Sequence, residues 1–205
     1  MDLAAAADSV VVASAVAVAD LAAAARPAAG NKQGWQMNTQ NRWVRLWRHG
    51  MYPRLRVAKY FPPHELQQLS RQITQSETQH TGQIRFVIES SMDFSAVWHG
   101  LSPRNRALQW FGELGVWDTE HNSGVLVYVS FADHAVEIIA DRGINAKVAQ
   151  DEWQTVCNEI LDAFRQQQFI DGLQQGLQHI NTILSTCFPR SEPGINELPD
   201  DVVLR

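Results

Sequence analysis

The chain reads as an α/β protein in which a small mixed β-sheet is sandwiched between helices, three layers in all. Three observations predict this. Apolar runs of strand length (QIRFVIES, GVLVYVSF and AVEIIAD) alternate with longer segments whose apolar residues recur at helical spacing. A helical segment separates the first run from the second, so those strands should pair in parallel through a crossover. Only Ala132-Asp133-His134 separates the second run from the third, short enough for an antiparallel hairpin.

The elements follow in order. RWVRLWRH places Trp43, Leu46 and Trp47 at i, i+3 and i+4 and predicts a short basic amphipathic helix that Tyr52-Pro53 ends. Pro62-Pro63 opens a second helix, because proline is tolerated in a first turn whose N–H groups lack partners anyway. Leu66, Leu69 and Ile73 form its stripe, and Gly82 suits its C-terminal cap. In QIRFVIES, Ile84, Phe86 and Ile88 alternate with Arg85, Val87 and Glu89, the period of a strand. Ser102-Pro103 supplies an N-cap and a first-turn proline for a helix carrying Ala107, Trp110, Phe111 and Leu114. GVLVYVSF is apolar almost throughout, as a strand covered on both faces must be. Two helices close the pattern, from Asp151 to about Gln166 and from Phe169 to about Cys187.

Four segments are expected: an extension at 1–36, a basic aromatic arm at 37–60, the α/β domain at 61–188 and an acidic tail at 189–205. The extension is nearly all Ala and Val, broken by Asp8 and Asp20, and it begins with Asp2 where a secretory signal would be basic. Its apolar stretches are too interrupted to span a bilayer. It reads as a disordered or loosely helical addition, or as a misassigned start with Met37 the true one. Hydrophobic residues at 45% and charged residues at 19% are the proportions of a folded globular chain rather than a disordered one. A net charge of −5 argues against nucleic acid as partner, although Arg42, Arg45, Arg48, Arg54, Arg56 and Lys59 stand together with no acid among them. Cys157 and Cys187 are too few and too far apart for a disulfide scaffold, and read as free thiols of a reducing compartment. A cytoplasmic location is expected, with peripheral membrane or export as alternatives.

The stretch VWDTEHNSGVLVYVSFADHAVEIIADRG carries the chemistry. If its strands pair as predicted, the polar groups before strands one and two and after strand three share one edge of the sheet. That edge gathers Glu77, His80, Asp118, Glu120, His121, Asn122, Asp141 and Arg142. Crowded carboxylates repel, and a divalent cation removes the repulsion. Oxygen donors from Asp118, Glu120, Asn122 and Asp141 favour Ca²⁺ or Mg²⁺, and a histidine would tilt the choice toward Mn²⁺ or Zn²⁺. His121 and Arg142 would then face the substrate, Arg142 as a match for phosphate oxygens. The bland alternative is a polar turn with a local Asp141–Arg142 ion pair. No Walker loop, serine elbow or His-Glu-x-x-His helix is present.

HTGQIRFVIES, the block VWDTEHNSGVLVYVSFADHAVEIIADRGI and QDEWQTVCNEILDAF together resemble the TPM domain, and more narrowly a short bacterial branch that also carries RWVRLWRH and FPPHEL. The resemblance covers about Arg42 to Pro189. It implies a compact α/β fold, divalent-metal binding near the loop edges and the acid-phosphatase activity claimed for some plant members. The wider family includes a thylakoid-lumen protein of photosystem II repair and a nematode acetylcholine-receptor accessory protein. Asn122 and Gly124 match the family's Asn-Gly before its central strand. Asp141 and Gly143 fall at its glycine-rich step after strand three, where this chain reads ADRGIN instead of the commoner Gly-Tyr-Gly-Leu-Glu. The Gly-rich tail and transmembrane helix of many bacterial members have no counterpart in the sequence given, so no membrane anchor is implied.

Two functions are therefore expected as rivals. One is a divalent-metal-binding domain, a phosphatase if it is an enzyme, acting on a phosphorylated small molecule or protein. The other is a non-catalytic accessory or assembly protein that docks on a membrane complex or a protein partner through its basic N-terminal arm.

Overall fold

The computed structural model describes residues 42–190 and 196–205. The expected 1–36 extension and the choice of start lie outside them. In order the elements are α1 (Arg42–Met51), α2 (Arg54–Val57), α3 (Pro63–Ser76), β1 (Gln83–Glu89), α4 (Phe94–Trp98), α5 (Pro103–Glu113), β2 (Gly124–Ser130), β3 (Ala135–Ala140), α6 (Arg142–Asn145), α7 (Gln150–Arg165), α8 (Phe169–Cys187) and β4 (Val203–Leu204). The strands form one mixed sheet in the order β3-β2-β1-β4.

β1 pairs with β2 in parallel, from Gln83 opposite Gly124 to Glu89 opposite Ser130. β2 pairs with β3 antiparallel, from Val125 opposite Ala140 to Ser130 opposite Ala135. Every residue of β1 and β2 is buried, because helices cover both faces and strand side chains alternate between them. Ile84, Phe86, Ile88, Val125, Val127, Val129 and Ile138 enter the larger core with Leu69, Ile73, Trp153, Val156, Ile160, Leu173 and Leu177 from α3, α7 and α8. Val87, Leu126, Tyr128 and Ile139 point the other way, onto Val97, Ala107, Trp110 and Phe111 from α4 and α5. The three-layer α/β/α arrangement follows directly. The helix–helix seam of α7 and α8 needs small residues: a Cβ on Gly176 would stand 2.5 Å from Ile160.

Two boundaries differ from the expected ones. The described part of the 37–60 arm is packed onto the domain, with Val57 fully buried and Tyr52 edge-on to Phe131. The expected tail supplies β4, which pairs in parallel with β1 through Val87–Val203 and Ile88–Leu204. A two-residue strand is too short to show a period of two, so composition alone hides it. Helix α3 also stops earlier than Gly82 suggests, with Glu77 as its C-cap residue. Ser102 does cap α5, its hydroxyl accepting from the Asn105 N–H.

Gly124 is required by close approach: a Cβ there would lie 1.9 Å from the Val116 carbonyl oxygen. Gly112, inside α5, has nothing within 4 Å of the same position. Gly124→Ala is therefore expected to cost about 3 kcal/mol or more in urea unfolding, through forced backbone shift. Gly112→Ala should instead gain roughly 0.5–1 kcal/mol, since alanine loses less chain entropy in a helix. A neutral Gly124→Ala would contradict the described approach of the α5–β2 loop to β2.

Candidate functional site

Parallel pairing of β1 and β2 gives the sheet two polar edges. At the edge where β1 and β2 end, the charged groups satisfy one another. The Asp133 carboxylate, in the β2–β3 turn, accepts from Arg45 Nε and Nη2 at 2.8 Å each and from the Ser130 hydroxyl at 3.2 Å. His49 Nδ1 accepts from the Met92 N–H at 3.0 Å, so its ring proton lies on Nε2 and is donated to Asp133 at 3.2 Å. Burial alone would push the Asp133 carboxyl up, but the bonds from Arg45 and His49 outweigh it and hold the carboxyl well below its usual range. Glu89 is met by an Arg106 fork, Nε at 3.0 Å and Nη2 at 2.8 Å, by the Tyr128 hydroxyl at 2.6 Å and by Trp110 Nε1 at 3.4 Å. Burial raises the Tyr128 phenol, and the adjoining Glu89 charge raises it further.

The opposite edge is different. Apart from Trp153 Nε1, every buried side-chain polar atom without a partner among the described residues belongs to Glu77, His80, Arg85 or Asp141. These four residues come from the α3–β1 turn, the first half of β1 and the end of β3.

Around β1, Glu77 Oε1 accepts the Ile84 N–H at 2.7 Å while Oε2 has nothing. Burial raises its carboxyl to about 8. His80 Nδ1 donates to the Gly82 carbonyl at 3.0 Å, its Nε2 has no close hydrogen bond although the Asn181 side chain acts on the ring, and burial lowers the ring to about 4. Arg85 is buried with Nε and Nη1 unpartnered, its guanidinium lowered by burial and eased by the charges of Asp201, Asp200 and Glu77. Residues 196–202 lie over this region: the Glu197 and Leu198 N–H groups both donate to Gln83 Oε1, and Thr74 bonds Asp200.

At β2 and β3 the predicted residues separate into two groups. Asn122, Asp141 and Arg142 are brought together. Asp141 Oδ1 accepts from the Arg142 N–H at 2.6 Å, and Arg142 Nε donates to Asn122 Oδ1 at 2.9 Å. The expected Asp141–Arg142 pair is thus a backbone contact, and the guanidinium goes to Asn122 instead. Asp141 Oδ2 is buried and unpartnered, and burial raises the carboxyl. Asn122 stands at φ 50°, and a Cβ on Gly143 would lie 2.7 Å from the carbonyl oxygens of both His121 and Asn122. Glycine is needed at 143 for that approach. Asp118, Glu120 and His121 are exposed on the same loop. The Glu120 N–H ties this loop to the C-terminal segment, donating to Glu197 at 2.8 Å.

Around Asn122 and Asp141 the donors are oxygens, which suits a hard cation, but among the described residues of that corner only Asp141 offers a buried free carboxylate oxygen. Among the described residues no group of three or more His, Cys, Asp or Glu stands close enough together to hold a metal ion. The residues fit a divalent cation in part: Asp141 Oδ2 is free, whereas Asp118 and Glu120 are exposed on the loop and not gathered to it. The sequence reading named Glu77 and His80 at this edge but missed Arg85, which it used only as one of the alternating residues of the first strand.

The TPM domain family matches residues 55–183, more than half of the chain. The chain belongs to the TPM domain family. Among solved structures, the solution structure of the BA42 protein from the psychrophilic bacterium Bizionia argentinensis is 30% identical, with a TM-score of 0.61 over 68% of this chain and 92% of that one. The N-terminal domain of cg2496 from Corynebacterium glutamicum is 10% identical over 85% of this chain and 97% of that one, with a TM-score of 0.42. No curated protein matches the chain.

The buried groups predict a pH profile for this TPM domain. Folded Glu77 keeps its proton between its ordinary 4.5 and about 8, so stability falls as pH rises through that window. Folded His80 stays neutral between about 4 and its ordinary 6.5, so stability falls as pH drops through that one. The two oppose each other up to 6.5, and Glu77 acts alone above it. The melting temperature should therefore decline between pH 6.5 and 8, and Glu77→Gln should flatten the decline. A decline that persists in Glu77→Gln would clear Glu77 of responsibility. Asp133 works in the opposite sense, its contribution present at neutral pH and lost in acid. Asp133→Asn should cost about 3 kcal/mol at neutral pH, because it strands Arg45. A loss under about 1 kcal/mol in denaturant melts would show the clamp to be dispensable.

Proposed function

We propose that this TPM domain binds a divalent cation, Ca²⁺ or Mg²⁺, at the corner formed by Asn122 and Asp141. The observation that carries the reading is the buried, unpartnered Asp141 Oδ2 beside the left-handed Asn122. A buried carboxylate oxygen without a donor is costly, and a cation relieves that cost. Carboxylate, amide and backbone carbonyl oxygens are the donor set of hard cations rather than of zinc. Asp118 and Glu120, exposed on the loop that carries Asn122, would complete the cage by swinging inward.

Phosphate-ester hydrolysis is the finer form of this proposal. A bound cation would supply the polarising charge for a phosphate oxygen. Arg142 would release Asn122 Oδ1 and turn its guanidinium to the same anion, with His121 on the exposed rim. That assignment rests on residue chemistry and on the family resemblance.

Thermal melts after EDTA, with Ca²⁺, Mg²⁺, Mn²⁺ or Zn²⁺ restored one at a time, test the binding. An ion at about a hundred times its dissociation constant should stabilise the fold by roughly 2.7 kcal/mol, several degrees in melting temperature. Asp141→Asn should abolish the shift. No shift with any ion, or a full shift in Asp141→Asn, sinks the proposal. If the shift is seen, a phosphomonoester assay in the same ion decides the finer reading, with Arg142→Ala expected to lose at least about tenfold in kcat/KM through the lost guanidinium contact.

A further inference from the structure

Helices α1 and α4 lie against each other beside the edge that Asp133 closes. The inner side of α1 is fully used there: Arg45 and His49 bond Asp133, and Leu46 packs on the smaller core. What the helix turns outward is aromatic. Trp43 and Trp47, one turn apart, are each 69% exposed, and Met51 continues their line at the next turn. From α4, Phe94 is 67% exposed and Trp98 is 38% exposed. Three of the rings are in contact: Trp43 meets Trp98 edge-on at 5.4 Å, and Phe94 stacks on Trp98 at 6.1 Å.

Soluble surfaces scatter single apolar side chains, whereas a contiguous aromatic group marks a contact surface. The clamp on Asp133 also prevents α1 from rolling to bury its tryptophans. Along the chain, positive charge accompanies the rings. Arg42, Arg54, Arg56 and Lys59 are exposed, and no acid occurs from 42 to 59 in a chain whose net charge is −5. Asp93, exposed at the start of α4, is the acid that borders the group.

We infer that this face docks on an anionic lipid bilayer. The rings stand out from the surface, which suits a fluid boundary able to close around them. Tryptophan combines an apolar body with one polar N–H and settles at headgroup level. An acid-free basic run is drawn to a continuous field of negative charge and overcomes the repulsion of an acidic protein. The ten residues of α1 carry one apolar stripe, the design of a helix lying in the interface plane. Among the described residues no helix is long and apolar enough to cross a membrane. The lipid face is independent of the cation corner, which lies at the other end of the strands.

Co-sedimentation of the full chain with phosphatidylcholine vesicles, with and without phosphatidylglycerol, tests the inference, with EDTA present throughout. The chain should bind the anionic vesicles with a blue shift of tryptophan emission and bind neutral ones at least about tenfold more weakly. Added salt should weaken the anionic binding. Trp47→Ser combined with Phe94→Ser should lose about tenfold in partitioning while melting at the wild-type temperature, since both side chains are largely in solvent. Absence of binding to anionic vesicles overturns the inference, as does binding that the double variant retains or binding that appears only when a divalent ion is restored. Self-association that the double variant abolishes, without lipid binding, would assign the face to a second copy of the chain.

Discussion

The parallel pairing of β1 with β2 is the constraint on which the rest of the molecule depends. Parallel strands must be joined by a crossover, and α4 and α5 make it, covering one face of the sheet as they do so. The other face is then available to α3, α7 and α8. The same pairing sets the starts of β1 and β2 side by side. Turns separated by some forty residues of sequence become neighbours, joined directly where the Gln83 N–H meets the Ser123 carbonyl at 3.0 Å and the Ser123 hydroxyl meets the Thr81 carbonyl at 2.8 Å.

The two ends of the sheet treat charge in opposite ways. Where β1 and β2 finish, the buried carboxylates of Glu89 and Asp133 have more donors than they have oxygens. Ligands of open α/β sheets usually sit at the carboxyl ends of the strands. Here that position is filled by the protein's own arginines, and its role is to hold α1 and α5 in place. Where β1 and β2 begin, burial has outrun hydrogen bonding, and Glu77, His80, Arg85 and Asp141 keep free polar atoms. A fold can sustain such groups when water, an ion or a ligand completes them.

Much of this was legible in the sequence, and the misses have physical causes. The alternation of Ile84, Phe86 and Ile88, the apolar run of β2 and the short Ala132–His134 connection were sufficient for the order and direction of the three longer strands. Asn122, Asp141 and Arg142 were correctly gathered at one corner, because strand direction alone determines which ends meet. The side-chain pairing within the corner was not legible: Arg142 prefers the Asn122 amide to its neighbour Asp141, a choice that depends on the left-handed backbone at 122. The buried state of Arg85 was hidden because a strand pattern assigns faces without saying what covers them. Nor could composition reveal that Arg45 and His49 of the basic segment serve Asp133, a partner more than eighty residues away.

The short strand β4 bears on how the molecule keeps to itself. Without it β1 would be the rim of the sheet, offering a row of open N–H and C=O groups on a segment apolar enough to recruit a second chain. Two ladder residues, the Ser90 N–H donated to the Arg205 carbonyl at 2.7 Å and the Arg205 N–H donated to the Ile88 carbonyl at 2.8 Å occupy the far half of that rim. The last few residues thus act as a guard against edge-to-edge aggregation. Their backbone, more than their side chains, performs that service.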